Sequence, residues 1–133
     1  MSSINRVTSR SSVSAIGSSF DTGKRIDIDM QMFPPSQHFE GYLSLIVLQL
    51  SNINAATKIT MRFTRDQAGD EMIITDTESD LYSGITTATK GSAIFALNSF
   101  VKVDRAGDLF VFLKTDTGTV DLDYVEMTYQ GDR

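Results

Sequence analysis

The chain has 133 residues and a mass of 14.7 kDa, the size of one domain, and at that length folding buries roughly two thirds of the unfolded surface without disulfides or a structural metal. With no cysteine and one histidine, His38, it has no disulfide framework, thiol nucleophile or thiolate metal site, and lacks the paired imidazoles most zinc chemistry uses. The net charge of −5 is uneven, with +3 on residues 1–25 and −8 on residues 26–133.

Residues 1–23 form a Ser-rich basic segment with eight serines in the first twenty positions. Scattered apolar residues there do not make the continuous stretch of a signal peptide. A basic, polar segment ahead of an acidic body is expected to be an extended N-terminal arm, loose alone and ordered by a partner surface. Arg6, Arg10, Lys24 and Arg25 are its candidate partner-binding residues.

From Arg25 to Phe33 the chain alternates. Ile26, Ile28, Met30 and Met32 fall on one face and Asp27, Asp29 and Gln31 on the other, the period of a half-buried strand. Pro34-Pro35 ends it, because proline cannot donate to a ladder. His38 follows in a loop, where a surface imidazole is expected. Gly41 to Leu50 is apolar on both faces, as a central strand covered on both sides would be. Its apolar run is less than half the ~20 residues of a membrane span, so no membrane association is expected.

Lys58 to Thr64 alternates again, with Ile59, Met61 and Phe63 inward. Asp66 to Gly69 is a turn, and Glu71 to Thr75 is expected to return as its hairpin partner. Thr77 to Ser83 is a polar loop, and Tyr82 within it is the tyrosine expected to be exposed for ligand stacking. Ser92 to Asn98 and Phe100 to Val103 read as two short strands or one bent strand. After the turn at Asp104 to Gly107, Leu109, Val111 and Leu113 alternate with Phe110 and Phe112, two packed faces of one strand. Asp116-Thr-Gly118 turns the chain into a last strand, Thr119 to Tyr129.

About eight short strands separated by turn signals predict an all-β fold, a single antiparallel jelly-roll-like β-sandwich over residues 24–133.

Few constellations carry chemistry. Asp27 and Asp29 share one face of the first strong strand, and Asp121 and Asp123 one face of the last. If those strands are neighbours, four carboxylates gather, and such a cluster needs a hard cation such as calcium or basic side chains. Otherwise they are solvated outer-face residues that keep a β domain soluble, and no cofactor is needed. The glutamates are dispersed, no Gly-x-Ser-x-Gly elbow occurs, and no glycine-rich loop precedes a helix, so an enzyme is not expected. The acidic body repels phosphate, so no nucleic-acid partner is expected either.

Val120-Asp-Leu-Asp-Tyr-Val-Glu-Met127 resembles the last strand of jelly-roll carbohydrate-binding modules, which implies a core strand and leaves a glycan- or receptor-binding module, on a tail or secreted, as an alternative function. A broader resemblance covers Ile59 to Gly131. The succession Ile-Thr-Met-Arg-Phe-Thr-Arg-Asp66, Ala-Gly-Asp-Glu71, Gly84-Ile-Thr-Thr-Ala-Thr-Lys-Gly91 and Phe-Val-Phe-Leu-Lys-Thr-Asp-Thr-Gly-Thr-Val-Asp-Leu-Asp-Tyr-Val-Glu126 resembles small β-sandwich virion proteins of marine tailed phages. That resemblance implies a capsid cement or decoration protein on the virion surface. Its partner would be the major capsid protein, and such proteins often sit there as trimers. The resemblance implies no individual functional residue.

Overall fold

The computed structural model describes residues 2–9, 12–28, 40–81, 90–104 and 109–132. Nine strands occur among them: β1 (Ser2–Ser9), β2 (Val13–Ile16), β3 (Ile26–Ile28), β4 (Glu40–Asn54), β5 (Lys58–Thr64), β6 (Thr77–Asp80), β7 (Gly91–Asp104), β8 (Leu109–Thr115) and β9 (Thr119–Asp132). A 3-10 turn, Thr22–Lys24, is capped by Asp21, whose Oδ1 accepts the N–H of Gly23 at 2.8 Å.

The pairings nest. β5 pairs with β6, β4 with β7, β3 with β8, and β1 and β2 with β9, all antiparallel. This is one long antiparallel hairpin, and rolling it up sends alternate pairs into opposite sheets. Two further antiparallel pairings, β4 with β9 and β5 with β8, close the roll. The result is a five-stranded sheet in the order β1-β9-β4-β7, with β2 also on β9, facing a four-stranded sheet in the order β3-β8-β5-β6. The jelly-roll-like sandwich expected from the strand count is the fold.

Alternation builds the core between the sheets. Ile46, Leu48 and Leu50 of β4, Ile59, Met61 and Phe63 of β5, and Leu109, Val111 and Leu113 of β8 all point inward and are almost fully buried. The opposite face of β8 is buried as well, since Phe110 and Phe112 are 5% and 2% exposed without belonging to that core. Gly69 of the β5–β6 connection lies against Phe112, and Arg25 lies over Phe110. At Gly69, with φ +82°, a Cβ would lie 3.2 Å from the Phe112 ring, so the turn needs both the absent side chain and the left-handed backbone.

Four expectations are corrected. Residues 1–23 are not an arm outside the sandwich, because β1 and β2 lie end to end along β9. β1 takes the half from Val125 to Asp132 and β2 the half around Val120 and Leu122. Without them the long β9 would leave its outer row of N–H and C=O groups unpaired, and Ile16 completes the core at 1% exposure. Glu71 to Thr75 is not the hairpin partner of β5. Only a bridge between Thr64 and Met72 forms there, and the ladder resumes with Thr77 to Asp80, inside the stretch expected to be a polar loop.

β4 is central but is not covered on both sides. Leu45, Val47 and Gln49 on its outer face are half-buried, and Ile94 beside Val47 is 45% exposed. Finally, the first strong strand and the last are not neighbours, since β3 and β9 belong to different sheets. The segment that does lie beside β9 is the N-terminal one.

β7 is one bent strand. Its pairing with β4 slips between Leu43 and Leu45, where Leu43 faces Val101 and Leu45 faces Ala96.

Candidate functional site

The aspartates singled out by the sequence do not converge. Asp27 lies in the four-stranded sheet opposite Phe110 and forms an ion pair with Arg25, whose Nε is 3.0 Å from Asp27 Oδ1. Asp121 and Asp123 lie in the other sheet, and Asp29 is outside the described residues. Among the described residues no three His, Cys, Asp or Glu side chains gather to hold a metal. The four-carboxylate calcium arrangement is therefore corrected.

Asp121 has a structural role instead. β2 carries one extra residue between Val13 and Ile16 relative to Leu122 and Val120, and Ala15 in that bulge has φ +54°. A bulge turns one N–H out of the ladder. Asp121 Oδ1 accepts the Ala15 N–H at 2.7 Å, while Oδ2 accepts from Asn52 Nδ2 at 2.7 Å. Asn52 is itself left-handed, at φ +48°, where the pairing of β4 with β9 slips. The Ala15 hydrogen bond first, the Asn52 amide second and the nearby Lys24 charge hold the Asp121 carboxyl below the usual carboxylate range.

Of the four basic residues expected to bind a partner, two are engaged within the chain. Lys24 Nζ donates to the carbonyl of Ala15. Arg25 Nη1 donates to the carbonyl of Thr22 at 3.0 Å, and its guanidinium lies 5.9 Å from the Phe110 ring centroid. The backbone of Arg6 pairs opposite Thr128. Arg10, along with Tyr82 and His38, is outside the described residues.

A second buttress closes one end of the sandwich. Asp116, in the β8–β9 turn, accepts the N–H and the hydroxyl of Thr57 and the N–H of Lys58, at 2.9 Å and 3.1 Å for the two amides. Its own N–H donates to the carbonyl of Lys58 at 3.1 Å. The Thr57 hydroxyl foremost, then the Thr57 and Lys58 amides, hold its carboxyl far below the usual range. Asp66 does the same for its turn, accepting the N–H of Glu71 at 2.8 Å and of Asp70 at 3.0 Å, and its carboxyl is lowered chiefly by the Glu71 bond.

Above the outer face of the four-stranded sheet, Arg62 makes a two-pronged ion pair with Asp76 at 3.0 and 2.9 Å. Its guanidinium lies 4.4 Å from the Phe20 ring centroid, and Lys114 Nζ lies 4.9 Å from the same ring. Phe20 thus seats the residues before β3 on the sheet, a contact that the polar composition of that segment conceals.

One concavity on the outer face of the five-stranded sheet was not foreseen from the sequence. Its volume is about 390 Å³, and it is lined by Gln49 and Leu50 of β4, Lys90, Gly91 and Ser92 at the start of β7, and Asp123 and Tyr124 of β9. A bulge builds it. Leu122 faces Leu50 and Tyr124 faces Gln49, so Asp123 is an extra residue and both Asp123 and Tyr124 face outward. The signal is present in the chain, for the apolar positions Val120 and Leu122 change phase before Val125 and Met127. Ser51 Oγ donates to Asp123 Oδ1 at 2.7 Å and orients that carboxylate.

No family model matches the chain, and no curated protein matches it in sequence. Several solved structures are similar in shape. The coat protein dimer of Tobacco streak virus is 13% identical, with 95% of this chain and 83% of that one covered and a TM-score of 0.47. The C-terminal CBM6 of the marine laminarinase LamC from Zobellia galactanivorans is 12% identical, with 95% and 99% covered and a TM-score of 0.43. The structure of Tomato aspermy virus is 9% identical, with 99% and 78% covered and a TM-score of 0.45.

Proposed function

We propose that the chain is a non-catalytic structural virion protein, a cement or decoration protein that stabilises a capsid by contacts with the major capsid protein and with neighbouring copies of itself. The observation that carries the reading is the placement of the N-terminal segment. Among the described residues β1 joins its sheet through β9 and lies at that sheet's edge. An edge strand offers a row of main-chain donors and acceptors to which another subunit can add a strand, with many weak copies acting together on a lattice. The resemblance of residues 59–131 to phage virion proteins spans β5 to most of β9 and supports the same reading.

The deletion that tests it has to stop at Ser9, since Ile16 is in the core and Gly17 accepts the N–H of Thr115 at 2.9 Å. Removing residues 2–9 is expected to leave a folded sandwich by circular dichroism while reducing co-sedimentation with capsids. Full retention of capsid binding would overturn the role given to β1. The second reading, a receptor-binding tail module, is separated by copy number per particle, high for a shell protein and low for a tail component.

A further inference from the structure

We infer that the concavity between β4, β7 and β9 is a binding site for a short neutral glycan. The inference does not rest on the capsid reading and holds for the isolated chain.

The first ground is the bulge. In a regular strand, adjacent residues point to opposite faces, so a carboxylate and a phenol ring at successive positions cannot line one surface. The extra residue at Asp123 breaks that rule and places Asp123 beside Tyr124 on the outer face. Bulges are features that re-aim side chains, and this one aims a hydrogen-bond acceptor and an aromatic ring at the same space.

The second ground is the chemistry of the lining. Tyr124 supplies a ring that can pack on the C–H face of a pyranose, with a hydroxyl at its rim. Asp123 is already oriented by Ser51 through Oδ1, and Oδ2 makes no hydrogen bond among the described residues, so one acceptor remains for a sugar hydroxyl. Gln49 offers both a donor and an acceptor, and Lys90 offers donors from the opposite side. The two charges are of opposite sign. The pair adds no net charge to the site, and a neutral polyhydroxylated molecule can bond all four groups, its hydroxyls donating to Asp123 and accepting from Lys90. The volume of about 390 Å³ falls within the range of small-molecule sites.

The third ground is the neighbouring strand. Ser92 faces Gln49 in the β4–β7 ladder, so its hydroxyl lies on the same outer face and lines the site from the side of β7.

The test is an NMR titration of the full-length 15N-labelled chain with cellotriose, laminaritriose and N-acetylchitotriose, alongside a screen of the fluorescently labelled chain on an array of neutral and anionic glycans. Binding of a neutral glycan is expected, with shifts centred on residues 49–50, 90–92 and 123–124. Asp123→Asn and Tyr124→Ala are each expected to weaken it by about tenfold or more. Asp123 is exposed, so Asp123→Asn keeps the test decisive if Tyr124→Ala perturbs the fold. Arg65→Ala, exposed just beyond the opposite end of β5, is expected to change nothing. No glycan bound, anionic glycans alone bound, or shifts that survive both site substitutions would each overturn the inference.

Discussion

Asp121 Oδ1 accepts the backbone N–H of Ala15 at 2.7 Å, joining residues 106 apart in sequence. This bond fastens the N-terminal edge segment to β9 where a bulge breaks the ladder of β2. Asp121→Ala is expected to lower the melting temperature and to speed amide exchange across residues 12–17 and at Thr115, whose N–H is bonded to Gly17, with β5 unaffected. Hydrogen exchange read by mass spectrometry separates that local loosening from a global loss.

Acid sensitivity is a second expectation. The carboxyls of Asp66, Asp116 and Asp121 are all lowered in the folded state. Below about pH 4, where unfolded aspartates take up protons, the unfolded chain binds more protons than the folded one, so stability falls as pH falls. The contribution is complete at neutral pH and is lost progressively through the depressed folded-state values. Asp116→Asn is expected to destabilise the chain at pH 7 and to approach the parent as pH falls from 4 toward 2. Melting temperatures of the two proteins across that range check it.

Gly118 has φ +67°, and a Cβ there would sit 1.8 Å from the carbonyl oxygen of Asn54. Gly118→Ala is expected to cost about 1–2 kcal/mol from the left-handed backbone alone, with the displacement of Asn54 in addition. Gly17 has open space around its Cβ position and no positive φ. Gly17→Ala is expected to be neutral or to stabilise by about 0.5 kcal/mol. Urea unfolding of the two variants reads the contrast.

Phe63 is fully buried on β5, whereas Ile94 on β7 is 45% exposed. Phe63→Ala is expected to destabilise by about 3–5 kcal/mol through lost transfer energy and a residual cavity. Ile94→Ser should stay within about 0.5 kcal/mol of the parent. A large loss at Ile94 in denaturant titrations would show that its outer face is covered in solution.

Arg62 and Asp76 each keep 29% of their side chain exposed and meet through two bonds. A double-mutant cycle with Arg62→Lys and Asp76→Asn is expected to give a coupling of about 0.5–1 kcal/mol that shrinks with salt. Phe20→Ala should loosen the residues before β3, since the ring is flanked by Arg62 and Lys114.

Strand β5 was legible because Ile59, Met61 and Phe63 alternate with polar neighbours and one face is buried. β8 was legible for a different reason. Its continuous apolar run left two covered faces as the reading, and both are buried. The return strand after the Asp66 turn was misplaced because turn chemistry reports where the chain reverses but not when the ladder resumes. The aspartate site failed because periodicity puts Asp27 and Asp121 on faces of their own strands and says nothing about which strands become neighbours.

The amino-acid sequence by itself determined an all-β domain, its core-facing positions and the absence of cysteine chemistry, since these follow from residue types and from spacing within single strands. Only the tertiary structure decided that the +3 N-terminal segment is the edge of a sheet, that Asp121 locks it there, and that Asp123 and Tyr124 open on one hollow. Those facts depend on pairing and on slips of register between strands up to 106 residues apart, where loop closure and the shared core select partners that no local pattern encodes.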